Sequence, residues 1–161
     1  MKTNVHFGFS LIGCIFLMML MIPNLIWSKN KPKDYDKYVK NEDKILLVFE
    51  RIGEILVTCN ALMFINGNIN ILSSWSIILL IAILLMILYE IFWIKYFKSE
   101  KTMKDFYCSL LHIPVAGAVL PVLAFLLLGI YEINIFLIIS TLVLAIGHIG
   151  IHLNHRKEIE T

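Results

Sequence analysis

The sequence predicts an all-α integral membrane protein, a bundle of five transmembrane helices with the N-terminus outside and the C-terminus in the cytoplasm. Hydrophobic residues make up 59% of the 161 residues and charged residues only 16%, against about 25% in soluble domains. Five apolar runs are each close to the length that a helix rising about 1.5 Å per residue needs to cross a hydrocarbon core of roughly 30 Å. Since these runs fill the chain, we expect a single transmembrane helical domain over residues 1–161.

Polar segments separate the five predicted spans. The first span covers residues 7–27 and is interpreted as a retained helix, because it exceeds a signal-peptide apolar region and lacks a small-residue cleavage site. The others cover residues 45–65, 75–97, 106–130 and 135–153. Pro114 and Pro121 remove amide donors from the fourth span, so a kink is expected there. The third span ends in aromatic residues typical of a belt at the membrane interface: Tyr89, Phe92, Trp93, Tyr96 and Phe97.

Basic residues predict the orientation. Six lysines lie between residues 29 and 44, four lie between residues 95 and 104, and Arg156 and Lys157 follow the fifth span. The intervening turns, at residues 66–74 and around Glu132, carry no Lys or Arg. The positive-inside rule places the basic loops in the cytoplasm. A net charge of only +2, placed in this way, indicates a multi-pass cell-membrane protein whose partner is the lipid bilayer, with no nucleic acid.

Ionisable side chains inside the predicted spans are the candidate site, because a charge in hydrocarbon is unfavourable and usually faces a bundle interior or a partner. Counted from the nearest basic residue at about 1.5 Å per residue, they lie about 8–15 Å inside the cytoplasmic boundary. We therefore predict a polar cavity in the cytoplasmic half of the bundle that binds or transports a cation, a proton or a small polar solute. Its predicted ligand-binding residues are Glu50, Arg51, Glu54, Glu90, His112 and His148.

The fifth span carries a stripe of polar residues at helical spacing, which predicts that this face looks into the bundle. His148 and His152 are four residues apart and form a candidate metal site. His112 and His148 form a candidate pair of axial ligands for a haem. His155, near the end of the span, is expected to be solvated. The sequence contains no HExxH motif or other catalytic signature, so no catalytic residue is predicted and a non-enzymatic role is favoured.

A third function remains open, in which the chain is a non-catalytic membrane subunit or a partner-binding protein. The small size and short loops favour this interpretation, since the polar groups would then serve helix packing. Either a homodimer or another membrane protein would be the partner. A homodimer is also expected for the transport hypothesis, because five spans are few for a monomeric transporter.

Residues 22–53 contain three short sequence motifs in a fixed order. Pro23-Asn24 closes the first span, the linker contains NKPKD, and Glu50-Arg51-Ile52-Gly53 follows. This segment resembles small uncharacterised bacterial polytopic membrane proteins, and the abundance of Ile, Lys and Asn is typical of low-GC bacterial genomes. No activity is attached to that group. The resemblance therefore implies a bacterial membrane protein but no function and no site residues.

Overall fold

A computed structural model of the protein describes residues 5–40, 42–66 and 73–161. The regular elements of these residues are helices and one short antiparallel ribbon of two strands, in agreement with the all-α prediction. The elements in chain order are β1 (Val5–Phe7), α1 (Leu11–Ser28), α2 (Tyr35–Val39), α3 (Lys44–Met63), β2 (Phe64–Asn66), α4 (Ser76–Phe97), α5 (Met103–Phe106), α6 (Ala116–Tyr131) and α7 (Ile135–Glu160).

Three of the described helices, α1, α4 and α7, are long and apolar enough to cross a membrane. The predicted membrane character of the chain is confirmed at this coarser level. The two remaining long helices differ from these for separate reasons. The 20 residues of α3 include Glu50, Arg51 and Glu54, which lower its hydropathy, whereas α6 is apolar but only 16 residues long.

The first helix begins later than predicted because the chain before it forms a strand. β1 pairs with β2 in an antiparallel register that places Phe7 opposite Phe64, and their rings pack edge to face. Ser10 then caps α1, and its hydroxyl accepts a hydrogen bond from the Gly13 amide at 3.0 Å. The predicted polar turn at residues 66–74 lies largely outside the described residues.

The fourth predicted span is wrong at its start, since α6 begins at Ala116 and not at residue 106. Pro114 is the physical reason: its ring disfavours helical backbone at the preceding residue. The chain instead turns tightly between Leu110 and Ile113, whose backbone groups bond to each other at 2.9 and 3.2 Å. Pro114 therefore precedes the helix and leaves no free Leu110 carbonyl, while Pro121 does lie inside α6 as predicted.

The five long described helices alternate in direction, and α1, α4 and α6 meet at what we call the ribbon end. The Trp75 indole, just before α4, donates to the Tyr131 carbonyl at the end of α6 at 3.0 Å. The Ser10 hydroxyl, just before α1, donates to Glu132 Oε1, just after α6, at 3.2 Å. α1 and α4 therefore begin at the ribbon end and α6 ends there, so α6 runs in the opposite direction to both.

The opposite end of the bundle holds the basic segments and is called the lysine-rich end. The Lys101 ammonium donates to Asn30 Oδ1 at 2.7 Å, and the Lys33 amide donates to the Lys101 carbonyl at 3.1 Å. The two basic loops thus contact each other. The last turns of α7 reach the same end, where His155 Nε2 lies 3.1 Å from Glu42 Oε1.

The aromatic residues of α4 do not form the predicted interfacial belt. Tyr89, Phe92, Trp93 and Tyr96 are almost fully buried inside the bundle. Their rings pack on one another and on Phe106 of α5. The prediction was wrong because an aromatic cluster near a helix end suits a core as well as an interface, and α1, α5 and α6 cover this one.

Candidate functional site

The backbones of α3 and α7 pack almost in contact, and this close approach positions the candidate site. A methyl group on Gly147 would overlap with the Glu50 amide nitrogen and the Leu46 carbonyl, and one on Gly53 would overlap with the Leu144 backbone. Only residues without a Cβ permit such an approach between helices. Glu50 consequently lies directly against α7.

Glu50, His148 and His152 form a compact group that we call the Glu–His–His cluster. The Glu50 Oε1 atom lies 2.6 Å from His148 Nδ1. The rings of His148 and His152, one helical turn apart, have centroids 4.5 Å apart. One potential ligand atom from each residue lies within 4.8 Å of those of the other two. Two helices therefore bring together the two histidines of the predicted metal site and one predicted ligand-binding carboxylate.

The cluster has the composition of a transition-metal site. Imidazole nitrogens and carboxylate oxygens bind Zn²⁺ and neighbouring divalent cations at about 2.0–2.2 Å. Ligand atoms around such an ion lie about 3 Å apart in tetrahedral or octahedral geometry, so small side-chain rotations bring these three groups onto one ion. Three protein ligands leave at least one position for water or another ligand. The Glu50–His148 bond also fixes the orientation of one imidazole ring.

Aromatic side chains from α5 and the following loop form one wall of the cluster. The His152 ring lies 5.8 Å from the Phe106 ring and 5.3 Å from the Tyr107 ring, centroid to centroid. A capping box between Thr102 and Asp105 stabilises the start of α5. Burial, together with the nearby charge of Glu42, raises the pKa of Tyr107, so its phenol stays neutral beside the cluster.

His155 continues the polar stripe of α7 one turn further towards the lysine-rich end. The prediction that it is solvated was wrong, because its side chain is buried. Its Nε2 atom lies 3.1 Å from Glu42 Oε1 and its Nδ1 atom lies 3.6 Å from Glu158 Oε2. The inward orientation predicted for the stripe is confirmed, since Thr141 and His155 are buried and His148 and His152 are half-buried.

Arg51 and Glu54 are not part of the cluster and are more exposed than Glu50. Their side chains form an ion pair with N–O distance 3.0 Å and are 66% and 45% exposed, respectively. The Thr58 hydroxyl donates to the Glu54 carbonyl at 2.7 Å. The helix thus turns Glu50 inward and presents the next two charged residues on its outer surface, so these two do not line a common cavity with Glu50.

The two other predicted ligand-binding residues also lie away from the cluster. Glu90 is half-buried on α4, a helix that packs against α6 and α1. His112 is exposed in the loop before α6, and its φ of 66° places it in a tight turn. His148 bonds to Glu50, so the haem pair predicted from His112 and His148 has no support in the described geometry.

Comparison of the chain with protein-family models, with curated proteins and with solved structures found no match. The resemblance of residues 22–53 to small bacterial membrane proteins stays a prediction. Arguments about function therefore start from the geometry of the described residues.

Sequence reasoning missed Glu42 and Tyr107. Glu42 lies in a charged linker, a setting in which a carboxylate is normally solvated, and nothing in the linker sequence indicates its contact with His155. The apolar pattern predicts Tyr107 inside a continuous fourth span. Its position between α5 and α6 follows only once Pro114 is recognised as ending the preceding turn and not as kinking a helix.

Proposed function

We propose that this chain is a multi-pass bacterial cell-membrane protein with five spans, an outside N-terminus and a cytoplasmic C-terminus, and that it binds a divalent transition-metal cation at the Glu–His–His cluster. The observation that carries the cation site is the proximity of three ligand atoms, from two helices, within 4.8 Å. The site would lie in the cytoplasmic half of the membrane, near the lysine-rich end.

The topology is supported by the alternation of the five long described helices. α3, with 20 residues, is about 30 Å long, enough for the hydrocarbon core. α6, with 16 residues, is about 24 Å long and is preceded by the buried residue Val115. The basic loops contact each other at one end, which the positive-inside rule assigns to the cytoplasm.

A cation fits the cluster better than the proton or polar solute that the sequence also allows. The two imidazoles and the carboxylate each place a ligand atom within 4.8 Å of the other two, and one metal ion can bind all three groups at once. The half-burial of the cluster limits competition from water. Zn²⁺ and Co²⁺ are the probes of choice, because they accept nitrogen and oxygen ligands in tetrahedral geometry.

The test is metal titration of the detergent-purified protein after treatment with a chelator. We expect about one Zn²⁺ or Co²⁺ per chain, with His152→Ala reducing the affinity by at least about tenfold. His112→Ala is the matched control, because it removes an exposed histidine outside the cluster and should leave the affinity unchanged. Equal binding by both variants, or no stoichiometric binding by the native chain, would overturn the cation site.

The topology has an independent test that uses cysteine labelling in intact cells. In a chain whose native cysteines are replaced by alanine, Ser74→Cys at the ribbon end should react with a membrane-impermeant maleimide. Lys33→Cys at the lysine-rich end should react only after the membrane is permeabilised. The reverse pattern would overturn the proposed orientation, whatever the result of the metal titration.

A further inference from the structure

One surface of α3 combines apolar and charged side chains in a way that does not suit lipid. Val48, Ile52 and Ile55 are exposed there, as expected for a lipid-facing helix. Arg51 and Glu54 are exposed on the same surface, and so is Cys59. We call the surface formed by these six residues the α3 outer face.

The depth of the ion pair makes its exposure the unusual feature. Arg51 and Glu54 follow Lys44 by about 10 and 15 Å of helix rise, so Glu54 lies near the middle of a 30 Å core. Charged side chains at this depth normally face a bundle interior or a partner. The Arg51 guanidinium donates to Glu54 Oε2 at 3.0 Å, and this group has five N–H donors in total.

The α3 outer face is complementary to itself. In a two-fold dimer, residue i of one copy contacts residue j of the other and the reverse contact follows by symmetry. Two parallel copies of α3 would bring each Arg51 within one helical turn of the other copy's Glu54. The ion pairs would then form a ring of four alternating charges shielded from lipid. A shallow apolar groove of about 410 Å³, lined by Lys44, Leu47, Val48, Arg51 and Ile52, overlaps this face and has room for apolar side chains of the second copy.

We propose that the α3 outer face is a homodimer interface, in which the Arg51 guanidinium of each copy donates hydrogen bonds to the Glu54 carboxylate of the other. The dimer rests on the five-span placement of α3 in the proposed function but not on the cation site, whose Glu50 side chain lies against α7. Each chain keeps its own Glu–His–His cluster.

The test is oxidative cross-linking in native membranes of chains that carry one cysteine each, with Cys14, Cys59 and Cys108 replaced by alanine. Ile55→Cys lies at the centre of the proposed interface and should give a disulfide-linked dimer. Ile87→Cys is the matched control, because it is exposed at a similar depth on α4 and should stay monomeric. Equal cross-linking at the two positions, or cross-linking of Ile55→Cys only to a different protein, would overturn the proposal.

The ion pair has its own test in the same assay. Replacing both charges, as Arg51→Leu with Glu54→Leu in the Ile55→Cys chain, should weaken dimerisation by at least about tenfold. If the outer face instead contacts lipid, the Ile55→Cys chain should give little cross-linked dimer with or without the leucines. The leucines should then raise its melting temperature in detergent. An undiminished dimer yield in the double variant would overturn the role of the ion pair.

Failure of the dimer and failure of the topology give different results. If α3 lies outside the bilayer, Ile55→Cys should react rapidly with a water-soluble maleimide. If α3 spans the bilayer and the dimer does not form, Ile55→Cys should react slowly and also fail to cross-link. A cooperative thermal unfolding transition of the Arg51→Leu, Glu54→Leu chain in detergent checks that the double variant is folded, whatever the result of the metal titration.

Discussion

Glu50 and His148 are 98 residues apart in the chain, yet their side chains approach to 2.6 Å between Oε1 and Nδ1. The contact joins α3 to α7 at the point where Gly147 removes the space between the two backbones. Since the carboxylate both orients His148 and offers a ligand atom, its replacement should affect cation binding more than folding.

We expect Glu50→Gln to lower Zn²⁺ affinity by at least about tenfold, because the amide is a weaker metal ligand than the carboxylate it replaces. The amide retains hydrogen-bonding groups, so the melting temperature of the metal-free protein should change little. Titration calorimetry in detergent measures the affinity. Glu54→Gln on the outer face of α3 is the matched control, and a comparable loss of affinity in that variant would contradict the assignment of Glu50.

Gly147→Ala should destabilise the α3–α7 pair by about 2 kcal/mol or more, because the added methyl group meets backbone atoms that cannot rotate away. Gly150→Ala is the matched control on the same helix, since its methyl group would meet only the Leu46 side chain, at 3.1 Å. Thermal unfolding in detergent compares the two variants. Equal melting temperatures of the Gly147→Ala and Gly150→Ala variants would contradict the close backbone contact at Gly147.

Stability should depend on the charge of Glu132 at the ribbon end. Burial raises the pKa of this carboxyl from 4.5 to about 7, an effect that the hydrogen bond from Ser10 only partly opposes. Between pH 4.5 and 7 the unfolded chain loses this proton while the folded chain retains it, so the free energy of unfolding falls as pH rises through this range, by at most about 3 kcal/mol.

Glu132→Gln should remove this component, because the amide is neutral at every pH. The native chain and the variant should have similar stability below about pH 4.5, and the variant should be the more stable of the two above about pH 7. Thermal unfolding measured across this range checks the difference. Parallel curves for the two chains would contradict a raised pKa at Glu132.

His155 should hold the linker before α3 against the bundle. Its Nε2 atom contacts Glu42 in a buried setting, so His155→Ala leaves that carboxylate without this partner, at a cost of about 1–3 kcal/mol. The freed linker should be cleaved by trypsin faster at Lys37 and Lys40. His6→Ala is the control, because His6 is an exposed histidine at the ribbon end, and equal cleavage rates would argue against the contact.

Hydropathy predicted the positions of the long helices well, because an apolar run of about 20 residues has few alternatives to a helix. Its errors are the starting residues of two helices, which short local features of the sequence determine. Pro114 delays α6, and the strand before Ser10 delays α1. These features depend on backbone restrictions and on pairing with a distant segment, which averaged hydropathy does not contain.

The sequence predicted how deep the residues of the candidate site lie in the membrane, but not which of them face a partner helix. Counting along α3 placed Glu50 and Glu54 at neighbouring levels, and the structure turns the first towards α7 and leaves the second 45% exposed. Only the position of the partner helix decides between these faces. The i, i+4 spacing of His148 and His152 was the most informative signal, since both residues belong to one helix and their proximity needs no tertiary information.

The ribbon and the Glu–His–His cluster can form only at different stages of protein synthesis. β1 can pair with β2 as soon as β2 has left the ribosome, because the register of Phe7 with Phe64 uses only the first part of the chain. Glu50 must wait for α7, which is synthesised after α4 and α6. Nascent chains that stop before α7 therefore lack the histidine partner of Glu50, and under the proposed function metal loading would mark completion of the α3–α7 pair.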